Sequence, residues 1–412
     1  MATMARSRTT SGTLEAFRYS NFRLYFLGQL VSLSGTAMQR VAQGWLVYQL
    51  THSELWLGVV AFAIGFPVLI CTPFAGVLVD RFSRRRIMWI TQFVEMIAAF
   101  LLAALVLTGV VQSWHIATLS LLLGINSAFG EPARFALIRE LVERNALNSA
   151  LSLNALLWNT AAIIGPALAG IALLQFGAGW CFLFNGISYF AVLLSLGLMH
   201  MPEVHRSNAS QSVLAELGAG LRFVREHETI GTLLVGATVI NVLGLSLFQT
   251  LIPAFADVAL HAPKTGNAML EAMIGIGSVA AAALNVWICT RFGRGRLVQV
   301  AALFIPVGGF IVALTQAEWL AGVLAVALGF GYASFFVSSN ILIQSQVSDE
   351  FRGRVMALWS LNRFAFAPIS GLVIGLLAQV FGTPQTMIGC SLLCLILMIL
   401  ITRRAATVRR LA

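Results

Sequence analysis

Five charges crowd into the seven residues from Asp80 to Arg86 (DRFSRRR), in a chain of which only 10% of residues are charged. Apolar runs flank the cluster on both sides, and Gly76 lies one helical turn before Asp80. A glycine there lets two helices approach closely. An anion held at the end of an apolar run can cap the N-terminus of a neighbouring helix. Arg81, Arg84 and Arg85 can pair with acids of adjacent loops. Single charges also stand inside apolar runs: Arg40, Glu95, Glu271 and Arg363. A charge at the centre of a bilayer costs at least about 2.5–3.5 kcal/mol on insertion scales, so each of these marks a partner or a site. Glu131 and Glu271 are the candidate proton carriers, because a carboxylate that faces each side of a membrane in turn can take up and release a proton.

These residues are embedded in a strongly apolar chain. Of its 412 residues 58% are hydrophobic, and the mean hydropathy is +0.87. A soluble domain carries about 45–50% apolar and about 25% charged residues. The apolar residues fall in runs of the length that a spanning helix needs, about 20 residues, and helices satisfy their backbone groups internally in lipid. The runs lie at 22–50, 54–79, 87–110, 114–135, 150–175 and 180–200, then 229–256, 267–289, 297–316, 318–344, 354–381 and 384–402. The sequence therefore predicts an all-α membrane protein of twelve transmembrane helices in two sets of six. The expected organisation is a tail at 1–21, one bundle at 22–200, a linker at 201–228, a second bundle at 229–402 and a tail at 403–412. The first run is far too long for a secretory signal, so it reads as an uncleaved helix. In the linker, Val213, Leu214, Leu217, Leu221 and Val224 recur at helical spacing, which predicts an amphipathic surface helix.

Arginine orients the chain. With the N-terminus placed in the cytoplasm, the inner segments hold all the arginines outside the spans, including Arg84, Arg85, Arg134, Arg139, Arg291 and Arg352. The outer connections hold one basic residue, Lys264. That asymmetry puts both termini inside. The formal net charge of +10 thus reflects topology and contact with anionic lipid rather than nucleic-acid binding. The five Cys and six His form no metal-spaced set and no mid-span His pair, so neither metal nor haem is expected. The single Lys does not lie in a phosphate-cradling loop, which argues against ATP hydrolysis.

The two sets of six are related. ALIRELVERNALNSALSLN, starting at Ala136, aligns with ILIQSQVSDEFRGRVMALW, starting at Ile341. DRFSRRR has a worn copy in TRFGRGR, where Thr290 replaces the acid and Gly295 an arginine. Paired six-helix halves suggest a rocking transporter with its site between them.

Gly76-x-x-x-Asp80-Arg81-x-x-Arg84-Arg85 resembles the loop signature of the major facilitator superfamily, with Ser83 where the family usually has Gly. The resemblance implies the major facilitator fold, and a partner for Asp80 in helix eleven, starting near Arg354, so that the cluster latches the inner side in one state. QRVAQGWLVYQLTHSELWLG, PARFALIRELVERNALNSALSLN, IIGPALAG, CFLFNGISYF and ELGAGLRFVREHETIGTLL are similar to the bacterial exporter branch that includes enterobactin exporters. That branch is also described as transmembrane secretion effectors and has drug-efflux relatives. Gly165-Pro166-x-x-x-Gly170 resembles part of the antiporter signature of superfamily exporters, with Ala161 and Ala169 where the fuller pattern has Gly. The fourth run lacks the mid-span arginine of many proton-driven drug exporters.

On the first helix Gln29, Ser32, Thr36, Gln39, Arg40 and Gln43 fall within an arc of about 100°. Such a stripe faces water or partner helices rather than lipid, and the resemblance implies that this helix lines the cavity. Helix four offers Ser120, Ser127, Glu131 and Arg134 on one side, and helix eight Glu271, Gly275, Ser278 and Asn285. Arg40 and Arg363 would make a cavity attractive to anions, or Arg40 would pair with Glu271. Helix three is peripheral in the family, so Glu95 reads as structural or headgroup-facing. The functional expectation is a non-enzymatic, proton-coupled exporter of a small amphipathic compound, drug or siderophore. It would work as a monomer in the bacterial inner membrane, with no cofactor beyond the proton gradient. An importer on the same fold is the alternative, and a membrane redox protein or enzyme a more distant one.

Overall fold

A computed structural model describes residues 14–200 and 222–404, with side chains described for all of these except 73, 76–81, 349–350, 357, 360–361, 363–365 and 404. The described residues form twelve long helices and no strand. In the first half they are α1 (Ser20–Thr51), α2 (Glu54–Arg81), α3 (Arg84–Leu107), α4 (Ser113–Leu141), α5 (Leu147–Gln175) and α6 (Ala178–Leu198). In the second they are α7 (Glu228–Val258), α8 (Thr265–Phe292), α9 (Arg294–Leu314), α10 (Glu318–Gln346), α11 (Asp349–Phe381) and α12 (Thr383–Arg404). Each coincides with one predicted apolar run, although α3, α6 and α9 end at Leu107, Leu198 and Leu314, two or three residues before their runs do.

Several helices overrun the apolar stretch that nucleates them, since a helix continues into the polar surface layer as long as no breaker intervenes. Arg134, counted with an inner loop as well as on the fourth helix, lies inside α4 and is 6% exposed. Among the described residues, nine of the twelve helices hold a stretch long and apolar enough to cross a membrane by composition alone, α1 and α4 do not, and the apolar stretch described in α11 is Phe366–Phe381. α1 and α4 hold most of the polar residues described below. Of the linker helix, Val213, Leu214, Leu217 and Leu221 lie outside the described residues, while Val224 packs against Ile230 and Leu233 in the core of the second half.

The packing repeats as the sequence does. α2 lies on α4, α3 on α4 and α6, and α1 on α5 and α6; in the second half α8 lies on α10, α9 on α10 and α12, and α7 on α11 and α12. The turns repeat too. Gly177 between α5 and α6 and Gly382 between α11 and α12 have φ of +87° and +88°, a conformation only glycine adopts without strain. α7 departs from its counterpart through a π turn at Asn241–Leu245. There Asn241 Nδ2 donates to the Asn362 carbonyl of α11 at 3.1 Å, and Thr238 Oγ1 to Asn362 Oδ1 at 2.9 Å. Large apolar side chains such as Leu27, Trp89, Ile97, Val286 and Trp319 point outward, as a surface bathed in lipid requires.

Candidate functional site

The halves meet through α2 against α11, α5 against α8, and α1 against α7. Small residues allow the approach: a Cβ on Gly58 would stand 2.7 Å from the Gly371 carbonyl, one on Gly375 2.6 Å from that of Glu54, and one on Gly275 2.7 Å from that of Ala162. Four described hydrogen bonds cross between the halves. Ser53 Oγ donates to Gln379 Oε1 at 2.6 Å, the Leu55 amide to the same oxygen at 3.5 Å, Thr383 Oγ1 to Glu54 Oε1 at 2.9 Å, and Asn267 Nδ2 to the Val41 carbonyl at 3.2 Å. Lys264 Nζ lies 5.5 Å from the Trp45 ring centroid, a fifth polar contact across the seam. The bonds of Ser53, Glu54 and Leu55 lie at the α1–α2 and α11–α12 turns, while Asn267 and Lys264, at the start of α8, meet α1 at Val41 and Trp45.

The α1 stripe divides in two. Gln29, Ser32, Gln39 and Gln43 are buried inside the first half. Asn185 Nδ2 of α6 donates to Gln39 Oε1 at 2.7 Å, Gln43 Nε2 donates to Ser120 Oγ of α4 at 2.9 Å, and Ser32 Oγ lies 3.5 Å from Gln92 Oε1 of α3. The Thr36 and Tyr189 hydroxyls are 3.0 Å apart. These neutral groups tie α1 to its own bundle. Arg40 alone of the stripe is exposed, and it lies within Coulombic range of Glu271 on α8 across the seam.

A charged group sits deeper in the first half. Arg134 Nη2 is 3.1 Å from Glu131 Oε1, with the guanidinium 4.8 Å from the Trp158 ring centroid. Glu95 of α3 accepts from Gln92 Nε2 at 2.9 Å and from Asn126 Nδ2 of α4 at 3.1 Å, with Tyr189 of α6 close by. Glu95 therefore points into the bundle, which overturns the headgroup-facing reading. The peripheral position of α3 does not prevent one of its faces from packing on α4.

Two arginines of the DRFSRRR cluster have described partners. Arg84 Nη1 is 2.6 Å from Glu140 Oε1 at the end of α4, the pairing with an adjacent acid that the spacing allows. Arg85 donates from Nε to the Leu196 carbonyl at 2.6 Å and from Nη2 to that of Gly197 at 2.8 Å. These are among the last carbonyls of α6, which have no partner within the helix and carry the negative end of its dipole. The side chains of Gly76, Asp80, Arg81 and Arg363 lie outside the described residues. In the other expected motif, a Cβ at Gly165 would collide with Ala37 of α1, Pro166 is buried, and a Cβ at Gly170 would stand 3.2 Å from Ala268 Cβ of α8. Gly165 thus serves packing within the half and Gly170 packing across the seam. On the predicted α8 stripe, Asn285 Oδ1 accepts from Ser334 at 2.8 Å, and Ser278 Oγ donates to the Ile274 carbonyl at 3.0 Å.

Two groupings had no sequence signal. Glu54 and Thr383 are ordinary polar residues beside turns, and their pairing across 329 residues shows only in the fold. Asn126, Asn185 and Tyr189 join the α1 stripe because α4 and α6 turn toward it, which periodicity within one helix cannot reveal.

A bundle of two related six-helix halves, with a polar core in the first and small residues along the seam, is an architecture shared by many secondary transporters. The profile of the family described as transmembrane secretion effector, a branch of the major facilitator superfamily, matches residues 11–410. The chain belongs to this family. It is a multi-pass membrane transporter of small molecules, not an enzyme. It is 25% identical over 384 residues to the multidrug efflux pump Tap of Mycolicibacterium fortuitum, covering 91% of this chain and 93% of Tap. It is 27% identical over 363 residues to the enterobactin exporter EntS of Salmonella typhimurium, covering 86% and 84%. The staphyloferrin A transporter of Staphylococcus aureus is 22% identical over 383 residues, covering 90% and 94%. The fold matches the crystal structure of the nucleoside transporter NupG with a TM-score of 0.76 at 12% identity, covering 93% of this chain and 98% of NupG. A bacterial homologue of the lysosomal transporter Spinster, in an inward-facing and occupied conformation, matches with a TM-score of 0.66 at 16% identity, covering 94% and 97%. These two likenesses concern the fold.

Proposed function

We propose that this transporter exports a small amphipathic compound, a drug or a siderophore, out of a bacterial cell by alternating access driven by a proton gradient. The observation that carries the reading is the seam between halves: among the described residues, three of its four hydrogen bonds lie at the α1–α2 and α11–α12 turns, and the fourth joins the start of α8 to α1. With both termini in the cytoplasm of a bacterial inner membrane, as the arginine distribution favours, that end is the outer one. Rocking about α2–α11 and α5–α8 would part these contacts in the alternate state. Export is favoured over import by Gly165-Pro166-x-x-x-Gly170 and by the efflux and exporter names of Tap and EntS.

Arg40, exposed and facing Glu271 across the seam, is the first candidate to meet a charged substrate, with Arg363 as a second cation on α11. Glu131 and Glu271 are the candidate proton carriers, the protein acts as a monomer, and the proton gradient takes the place of a cofactor. The test compares inverted with right-side-out membrane vesicles holding the protein, using ethidium and enterobactin as probes. Accumulation in energised inverted vesicles, abolished by a protonophore, is the expected result. Accumulation only in right-side-out vesicles would establish import instead.

A further inference from the structure

We infer that Glu95, Arg134 and Glu131 form a switch holding a single exchangeable proton, with Glu95 as its inner proton site and Glu131 as its port. The inference rests on the proton-driven reading above and names where that proton resides. Glu95 stands near the middle of α3, and Glu131 and Arg134 lie about two turns or more inside α4. The group contains two carboxylates and one cation at membrane depth. Arg134 is engaged with Glu131, and the described hydrogen-bond partners of Glu95, Gln92 and Asn126, are neutral. An unneutralised carboxylate at that depth is costly, whereas one added proton makes the group neutral as a whole. The other ionisable groups around it, Tyr25 of α1 and Tyr189 of α6, are phenols and supply no second cation.

A second observation shows where the switch can go. Arg134 is 6% exposed, yet its Nε and Nη1 have no hydrogen-bond partner in the protein, and Gln29 of α1, fully buried, has none for either side-chain atom. Buried donors left open are uncommon and call for an explanation. Arg134 also lies within Coulombic range of Glu95. Two arrangements of equal net charge follow. In the described one, Arg134 pairs with ionised Glu131 and Glu95 holds the proton. In the other, Arg134 turns its free N–H groups to ionised Glu95 and the proton sits on Glu131. Passage between them moves one proton from the Glu95 carboxyl to Glu131 and swings one guanidinium, with no other reactant. The Glu131 side chain is 41% exposed against 7% for Arg134, so Glu131 is the member that exchanges the proton with water.

Infrared difference spectroscopy of the purified full-length protein tests the switch without a substrate. Glu95→Gln should remove one protonated-carboxyl C=O band. Glu131→Gln should remove the same band, because Arg134 then pairs with Glu95 and ionises it. If Glu131→Gln leaves that band in place, or if Glu95→Gln removes none, the shared proton is disproved. Should Glu95→Gln fail to fold, Glu95→Asp should shift the band and Glu131→Gln should still abolish it. In proteoliposomes, Glu95→Gln should lose the response of ethidium export to a pH gradient and keep downhill ethidium movement; an unchanged response would remove Glu95 from the proton route. A wild-type protein indifferent to the gradient would overturn the proton-driven reading alone, and the infrared pair would still decide the switch.

Discussion

Thr383, the first residue of α12, donates its hydroxyl to the carboxylate of Glu54, the first residue of α2, at 2.9 Å, joining the two halves end to end. Glu54 is 8% exposed and Thr383 1%. A carboxylate at the start of a helix also meets the positive end of the dipole, so Glu54 is suited both to its own helix and to the start of α12. The neighbouring Ser53–Gln379 bond, at 2.6 Å, completes a clasp at this end of the seam. Thr383→Val removes the donor and leaves the carboxylate buried. A hydrogen bond to a charged group contributes about 1.5–3 kcal/mol, so the closed clasp should lose about tenfold or more in population. The measurement is thiol accessibility of a cysteine at Ser53 in a background without the five native cysteines. Unchanged accessibility would show that the clasp does not hold this end.

The Arg85 side chain engages two terminal carbonyls of α6. Arg85→Ala leaves those carbonyls without a protein donor and should lower the stability of the first half by about 1–3 kcal/mol. Thermal unfolding in detergent should show a lower midpoint, and Arg85→Lys should recover only part of it, since an ammonium cannot span both carbonyls as the guanidinium does.

At the α5–α8 crossing, Gly275→Val introduces bulk against the Ala162 carbonyl. Overpacking costs about 1–3 kcal/mol, and here the strain falls on the closed seam. Transport should collapse while the protein remains monodisperse, and the Ser53 cysteine should become more reactive than in the parent. Loss of folding with no gain in reactivity would mean that the crossing is needed to build the bundle rather than to close it.

Arg40 and Arg363 offer a charge test of the substrate path. Arg40→Gln and Arg363→Gln should reduce transport of anionic amphipathic compounds more than of cationic ones. Glu271→Gln, which removes the acid facing Arg40, should shift the preference toward anions. Equal losses for both classes would take the anion preference away from these residues.

The sequence displayed most of the architecture because lipid imposes one simple demand, about twenty apolar residues per span. The twelve runs mapped onto twelve helices, and the match between Ala136 and Ile341 anticipated the repeated packing. The α1 stripe shows where that legibility stops. Periodicity established that Gln39 and Arg40 share a polar side of the helix, but not that Gln39 meets Asn185 within the bundle while Arg40 is left open toward α8. Neighbouring positions on a helix differ by about 100°, enough to send one side chain into the bundle and the next to the seam. Sequence left Glu95 open between a structural and a headgroup-facing role for a related reason: an isolated acid in an apolar run has no visible partner when that partner, Asn126, lies on another helix.

Distances between spin labels at both ends of the seam test the central claim most directly. One pair replaces Ser53 and Gln379, whose side chains bond at one end. The other replaces Asn145 and Ser348, exposed in the α4–α5 and α10–α11 turns at the opposite end. As the protein is driven through its cycle by substrate and pH, the account predicts reciprocal change: the first distance lengthens as the second shortens. Distances that stay fixed, or that lengthen and shorten together, would contradict it.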